Sequence, residues 1–366
     1  MPYRFGMLMS QNLGHRVYDS ILRENFSQDP SIHATWMPIE PWADDVWQKI
    51  PGIRGNLTLL SGLRARAHLR REKARFDLLY CHTQEAATLL GSYMRRIPTV
   101  LSMDATPLNM DKLGRWYQQK DRSALLERAK HVVTRSAFER AAHLVAFSDW
   151  ARASLIADYG IAASKITVIP PGIDLALWDS PREKDEGTQA RILFVGGAFE
   201  RKGGHVLLEA VARMPASWQV DIVTDHAMHS APGMPNVRFH SAFQPGSAEL
   251  RSLYRQANIF VLPTFADCSP WVNVEAMAMR LPVITTPVGG TAELIDEHCG
   301  IVVQPGSADE LLAAVSTLAA NPELRRAMGE QGRLRAERYF DTRRNSRRLA
   351  DLLKSLVQKS GQRDSR

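Results

Sequence analysis

Ile259-Phe-Val-Leu-Pro263, then Asp267-Cys-Ser-Pro-Trp-Val-Asn-Val-Glu275, then Leu281-Pro-Val-Ile-Thr-Thr286 and Gly289-Gly290-Thr291 place an apolar run, an acidic loop, a helical stretch and a second apolar run in series. Short apolar runs bounded by Pro and Gly read as strands buried on both faces. Ser269-Pro270 reads as an N-cap with Pro at the first helical position, where the missing N–H costs nothing. Asp267 then sits just before a helix N-terminus, and Glu275 lies about one and a half turns inside. Both acids fall near the carboxyl end of the strand Ile259–Leu262, the edge at which open α/β sheets bind ligands. Each carboxylate can accept two hydroxyl hydrogen bonds, which suits an uncharged polyol. Either acid alone reads as a helix cap or half of an ion pair; their spacing and the Gly-Gly turn point to a site.

The same alternation extends outward. β-rich runs recur at Phe5–Met9, Leu78–Cys81, Thr99–Ser102, Leu144–Phe147 and Ile166–Ile169, and again at Ile192–Val195, Val220–Val223, Val237–Phe239, Val283–Thr285 and Ile301–Val303. Helical patterns such as Gly204–Arg213 and Asp309–Ala319 lie between them. Strands alternating with helices imply βαβ units, parallel sheets and right-handed crossovers. The charged stretch 179–190 has the composition of a linker, dividing a Rossmann-like domain at 1–178 from a second at 191–340. Segment 341–366 carries Leu349, Leu352, Leu353, Leu356 and Val357 at helical spacing before a polar tail.

With 366 residues, 45% hydrophobic, the chain has material for two cores. Cys81, Cys268 and Cys299 have no ligand-like spacing, so a reducing cytosol is expected and neither a disulfide framework nor a zinc site. The N-terminal apolar run is too short for a signal peptide, and no stretch approaches the roughly 20 apolar residues of a membrane span. The expected location is cytoplasmic, with peripheral contact at an inner membrane surface as an option. A formal charge of +7 is concentrated at Arg64–Arg75 and Arg343–Arg348. No nucleic-acid module accompanies it, so nucleic acid is not an expected partner. The basic helix near Leu63–Phe76 reads as a solvated face, or as a surface for anionic lipid or a phosphorylated lipid acceptor.

Ile192-Leu-Phe-Val-Gly-Gly197-Ala-Phe-Glu-Arg201-Lys202-Gly203-Gly204 is a strand, a Gly-rich loop and a helix start. Free backbone N–H groups and the helix's positive end converge there, and Arg201 and Lys202 complete an anion site suited to a diphosphate. Gly289, Gly290 and Thr291 form a second N–H cluster with Thr291 as N-cap. His226, His229 and His298 read as surface residues.

The Asp267–Glu275 spacing resembles the Glu-x7-Glu motif of the group 1 family of retaining, GT-B-fold glycosyltransferases, with Asp in place of the first Glu. The resemblance implies that Asp267 holds donor-sugar hydroxyls and Glu275 the nucleotide ribose. The Gly197–Gly203 loop is similar to the family's Gly-Arg-x-x-x-Glu-Lys-Gly element, which contacts the leaving diphosphate. Lys202 matches its Lys, Gly197 stands at its Arg, and Arg201 at its Glu. Kinship runs from about Ala141 to Val303, including Val168-Ile-Pro-Pro-Gly-Ile-Asp174, and thins before it. There Gln11-Asn-Leu-Gly14-His15 takes the place of a Gly-rich loop facing donor and acceptor. Asp104, in Leu101-Ser-Met-Asp104-Ala-Thr-Pro107, stands where the family often carries a His near the donor's reacting carbon, and His82 ends the preceding strand.

By resemblance, the fold is two Rossmann-like domains facing across a cleft, with the last helix crossing back to the first domain. The implied activity moves a sugar from a nucleotide-sugar donor to an acceptor hydroxyl with retained anomeric configuration, in glycan, polysaccharide or glycolipid synthesis. Lys202, Asp267 and Asp104 are its candidate catalytic residues; Arg201, Glu275, Gly197, Gly203, Gly289, Gly290, Thr291 and Gly14 are the candidate donor-binding set. No Asp-x-Asp or metal-ligand cluster is evident, so no metal and no cofactor beyond the donor is expected. A nucleotide-sugar epimerase or a non-catalytic donor-binding subunit are the alternatives. Sugar, base, acceptor and oligomeric state are not encoded in these motifs.

Overall fold

The computed structural model describes residues 2–40, 42–117, 123–179, 189–225, 233–241 and 243–364. His226, His229 and most of the expected linker (180–188) lie outside them. The chain forms two compact units, the first from 1–108, 120–171 and 343–366, the second from 109–119 and 172–342. The final segment thus belongs to the first unit, and an excursion at 109–119 belongs to the second.

The first unit holds a six-stranded parallel sheet in the order β2-β1-β3-β4-β5-β6. Its strands are β1 Tyr3–Ser10, β2 Ile32–Ile39, β3 Leu78–His82, β4 Thr99–Met103, β5 His143–Ala146 and β6 Ile166–Val168. β2 has no counterpart in the sequence reading. It is an edge strand with a half-exposed pattern, and Thr35, Trp36 and Pro38 break the apolar run that marks a central strand. Central β3 and β4 are buried at every position, as strands covered by helices on both faces must be. The C-terminal helix Thr342–Asp364 buries Leu349 and Leu353 in this unit, and Lys354 pairs with Asp29 at 2.6 Å. Asn345 donates to the Pro170 carbonyl at 3.0 Å, tying the helix to the end of the same unit's chain.

The second unit repeats the design with order β12-β11-β10-β7-β8-β9. These strands are β7 Arg191–Val195, β8 Gln219–Val223, β9 Val237–His240, β10 Ile259–Leu262, β11 Val283–Thr285 and β12 Gly300–Val302. Its core runs from Ile192, Leu193 and Phe194 through Leu207, Phe260 and Met277 to Leu311 and Val315. Helix starts are capped as their sequences promise: Ser247, Ser307 and Asn321 each accept a backbone N–H from the first turn, the last with Pro322 at N1. Both sheets are therefore doubly wound, and each has a point where strand order reverses: between β1 and β3, and between β7 and β10. Among the described residues no helix is long and apolar enough to cross a membrane.

Candidate active site

Ligands of doubly wound sheets bind beyond the carboxyl ends of the strands at the reversal point. In the second unit, that point lies between the loops after β7 and β10, and the structure stitches these loops together. Phe265 N–H donates to the Arg201 carbonyl at 2.8 Å, and Thr264 Oγ1 donates to the same oxygen at 3.1 Å. Gly203, at φ 80°, passes under Pro263 so closely that a Cβ would sit 2.0 Å from its carbonyl oxygen. This contact brings the Lys202 ammonium into an ion pair with Asp267. Both side chains are nearly covered, 13% and 11% exposed, so the pair is screened far less than a surface one. The stem of Lys202 packs over Gly196, where a Cβ would lie 2.9 Å away.

Arg201 turns elsewhere. Its guanidinium donates to the Ala266 carbonyl at 2.6 Å and to Tyr117 Oη at 3.3 Å, and lies over the Tyr117 ring. Gly197 leaves room for Asp225, whose Oδ2 would be 2.4 Å from a Cβ at that position. An acid therefore occupies the space beside the position where an Arg was expected. Glu275 is half-buried in the helix Trp271–Ala278 and accepts a 2.8 Å hydrogen bond from Tyr254 Oη. Burial pushes its carboxyl up to about 7, the Tyr254 hydrogen bond opposing only in part.

Several local expectations are corrected. The helix after Asp267 begins at Trp271, so Pro270 is its N-cap and Ser269 lies one residue outside. Pro cannot cap with a side chain, and within the first turn the Asn273 N–H donates to the Pro270 carbonyl at 3.1 Å. Thr291 is not an N-cap: Gly290 caps a three-residue 3₁₀ turn, and Thr291 is buried inside it. Its Oγ1 has no hydrogen-bond partner among the described residues. Arg280 closes its helix in the left-handed conformation, φ 57°, that Gly would supply at less strain. Its N–H reaches Met277 and the next N–H reaches Ala276, a Schellman closure, while its guanidinium pairs with Asp179 at 2.6 Å. Gly289, at φ 57°, lies against the Asp267 carbonyl, with only 1.8 Å to an added Cβ. Gly289→Ala is expected to cost about 1–3 kcal/mol and to displace Asp267. A melting temperature equal to wild type would show that the turn does not set the acid's position.

The reversal point of the first unit gathers a second polar group. Gly14 belongs to the first turn of the helix Leu13–Ser27 and not to a loop; a side chain there would meet open space. The following residue, His15, faces Asp104 with 3.9 Å between Nε2 and Oδ2, and its Nδ1 lies 3.2 Å from Ser10 Oγ. Burial drives the His15 pKa down, but the Asp104 carboxylate outweighs it and holds the imidazole above its ordinary value. Burial acts upward on Asp104, and His15 more than offsets this, leaving its carboxyl below the usual range. His82, at the end of β3, is fully buried. Its ring packs edge-on against His15 at 4.5 Å, its Nδ1 meets Ser102 Oγ at 2.9 Å, and Nε2 has no partner among the described residues. Burial keeps it neutral. In Asp104→Asn the His15 imidazole is expected to titrate below its wild-type value, since burial then loses its main opponent. An NMR titration showing an unmoved midpoint would dissolve the pair.

Residues 33–177 match the Glycosyltransferase Family 4 profile, and residues 189–321 match Glycosyl transferases group 1. This chain belongs to the GT-B glycosyltransferases. Curated relatives match about half of this chain. The MMP alpha-(1->4)-mannosyltransferase of Mycolicibacterium hassiacum is 27% identical over 51% of this chain and 48% of its own length. A D-inositol 3-phosphate glycosyltransferase of Arthrobacter is 29% identical over 51% and 49%. The chain spans about half the length of the curated relatives it matches. Among solved structures, sucrose-phosphate synthase from Thermosynechococcus elongatus superposes with a TM-score of 0.80 at 19% identity, covering 98% of this chain and 100% of that one. HepE of Anabaena, solved with UDP, reaches 0.70 at 17% identity over 97% and 100%. Such identities establish the fold.

For this GT-B glycosyltransferase, Lys202, Asp267, Gly203 and Gly289 come together on three adjoining loops, those after β7, β10 and β11, with Gly290 and Thr291 in the turn that follows Gly289. Glu275 lies on the helix rising from the Asp267 loop. Asp104 and Gly14 belong to the first unit, at its own reversal point. Sequence reasoning passed over His15, Tyr117 and Tyr254. His15 was visible beside Gly14; the tyrosines reach their partners from segments 84 and 21 residues away and had no local signal. Among the described residues no group of three or more His, Cys, Asp or Glu is placed to hold a metal ion.

Proposed function

We propose that this chain transfers a sugar from a nucleotide-sugar donor to an acceptor hydroxyl with retention of configuration, without a bound metal or further cofactor, in glycan or glycolipid synthesis. The observation that carries this reading is the Lys202–Asp267 pair, a cation and a hydroxyl acceptor held side by side at the strand-order reversal of the second unit. As the glycosidic C–O bond lengthens, the sugar becomes oxocarbenium-like and the leaving diphosphate gains negative charge. Lys202 and the backbone N–H groups around Gly203 and Gly204 stabilise that charge. Asp267 and Glu275 orient sugar and ribose through their hydroxyls. On this reading the leaving phosphate takes the acceptor proton, and no protein base is required. HepE, a neighbour in fold, binds UDP and UDP-glucose, which fits such a donor.

On the acceptor side, the exposed Arg70, Arg71, Lys73 and Arg75 suit an anionic membrane or phosphorylated lipid acceptor. Arg64 takes no part: it is buried and bound to Asp45 at 2.8 Å, and the helix runs over Leu57–Arg71 and stops short of Phe76. A panel of nucleotide sugars, assayed by calorimetry and by slow donor hydrolysis with EDTA present, tests the proposal. Binding and hydrolysis of one donor is the expected result. Isomerised donor would make the chain an epimerase, and binding with neither hydrolysis nor transfer would make it a non-catalytic subunit.

A further inference from the structure

The chain's positive charge is confined to one unit. The first unit holds 29 Lys and Arg against 17 Asp and Glu, a formal +12, whereas the second holds 17 against 22, a formal −5. A field of that sign and size attracts anionic surfaces and repels cationic ones.

The same unit presents an apolar stripe to solvent. In the helix Ala124–Arg140 the inward side buries Thr134, Ala137 and Phe138, all in the C-terminal half. Among residues 124–133 none is buried, so these first turns stand away from the core. A solvated helix should be polar on its outer face. Here Leu125 is 79% exposed, Leu126 62%, Val132 58% and Val133 48%. Leu125, Ala129, Val132 and Val133 recur at i, i+4, i+7 and i+8, one continuous outward line. Arg128 and Arg135 border it, both exposed; Glu139, which pairs with Arg135 at 2.8 Å, is the acid on that side. A second exposed apolar pair, Trp42 (59%) and Val46 (62%), flanks the Arg64-bound segment. The helix Leu57–Arg71, which carries that anchor, packs on the short helix Gln84–Ala87, as does Ala124–Arg140. Both of these helices therefore pack within one layer of the first unit.

We infer that the outer face of the helix Ala124–Arg140 docks this unit on an anionic lipid bilayer, its apolar line entering the headgroup boundary while the surrounding basic residues meet lipid phosphates. This reading deepens the membrane contact proposed above. It assigns the apolar part of the contact to Leu125, Val132 and Val133, where the basic helix alone would give only a salt-sensitive attraction. An amphipathic helix lying in the interface binds through buried apolar area together with anionic attraction. A polar line would bind through charge alone.

Flotation of the whole chain tests it, with phosphatidylcholine vesicles containing or lacking about 30% phosphatidylglycerol. Wild type is expected to float with the anionic vesicles and to be released in part by salt. The triple variant Leu125→Ser, Val132→Ser, Val133→Ser should partition about tenfold less or weaker still, and Arg128→Ser with Arg135→Ser should lose binding chiefly at low salt. All of these positions are exposed, so melting temperature and calorimetric binding of nucleotide sugar should match wild type. Equal flotation of wild type and triple variant would overturn the inference, as would absence of wild-type binding. A wild-type dimer that becomes monomeric in the triple variant, with no vesicle binding, would make the stripe a self-association surface and reject the lipid. A chain that floats as expected but binds no nucleotide sugar would refute the sugar-transfer reading and leave this one standing.

Discussion

Lys202→Ala is expected to lower kcat by on the order of 10²–10³, about 3–4 kcal/mol of transition-state stabilisation, with a smaller effect on donor binding. The reason lies in where its charge is held. The ammonium is 13% exposed and paired with Asp267, on a loop locked to its neighbour by the Gly203–Pro263 approach. In the resting site it balances one carboxylate. As the diphosphate departs, the developing negative charge competes for the same ammonium at a point already shielded from water, where reorganisation costs little. Removal also leaves Asp267 covered and unpaired, an uncompensated acid that repels the diphosphate. Arg201 does not substitute readily, because its guanidinium is bound to the Ala266 carbonyl and Tyr117. Lys202→Arg serves as the control: charge is retained while the compact ammonium geometry is lost, so it should fall between wild type and Ala. Turnover equal to wild type in a folded Lys202→Ala protein would take this residue out of the mechanism.

How far this site could be read from the chain depends on the range over which each signal acts. Lys202 and Asp267 are 65 positions apart, yet both follow apolar runs that could only be central parallel strands, and the doubly wound rule places both at one edge. Local patterns therefore sufficed for residues whose position follows from strand ends. They failed where a contact depends on packing between helices and loops. Tyr254 looks like any apolar position of an amphipathic helix; only the packing of that helix against β10 brings its hydroxyl to Glu275. Edge strand β2 escaped because partial exposure dilutes its apolar pattern. Helix starts were misplaced by one residue, at Pro270 and Thr291, because Ser, Pro and Thr are each compatible with neighbouring cap positions. His15 shows the remaining limit: an imidazole in a first helical turn acquires meaning only once β4 delivers Asp104 beside it.

Glu275→Gln is expected to weaken nucleotide-sugar binding by roughly 10- to 100-fold, the loss of hydrogen bonds to a charged acceptor, and to abolish a pH dependence present in wild type. Burial holds the Glu275 carboxyl at about 7, so near neutrality it is shared between acid and carboxylate. Only the carboxylate can accept hydrogen bonds from both hydroxyls of a ribose diol while keeping that from Tyr254. Donor affinity should therefore rise as pH increases through about 7 and level off above it. Stability runs the other way. The folded pKa is raised above its ordinary 4.5, so the contribution of this group is complete below about 4.5 and is lost as pH climbs through about 7. Gln keeps the shape and can still accept from Tyr254 while carrying no charge, so the variant should bind weakly and equally at all pH values and lose the alkaline fall in stability. Tyr254→Phe provides the internal check. It removes the hydrogen bond that opposes burial, so the affinity midpoint should move to higher pH. Calorimetry from about pH 5.5 to 8.5 decides the matter: a wild-type affinity flat across neutrality, or a Gln variant that keeps the slope, would exclude Glu275 as the ribose acceptor even if the protein proves to be an active transferase.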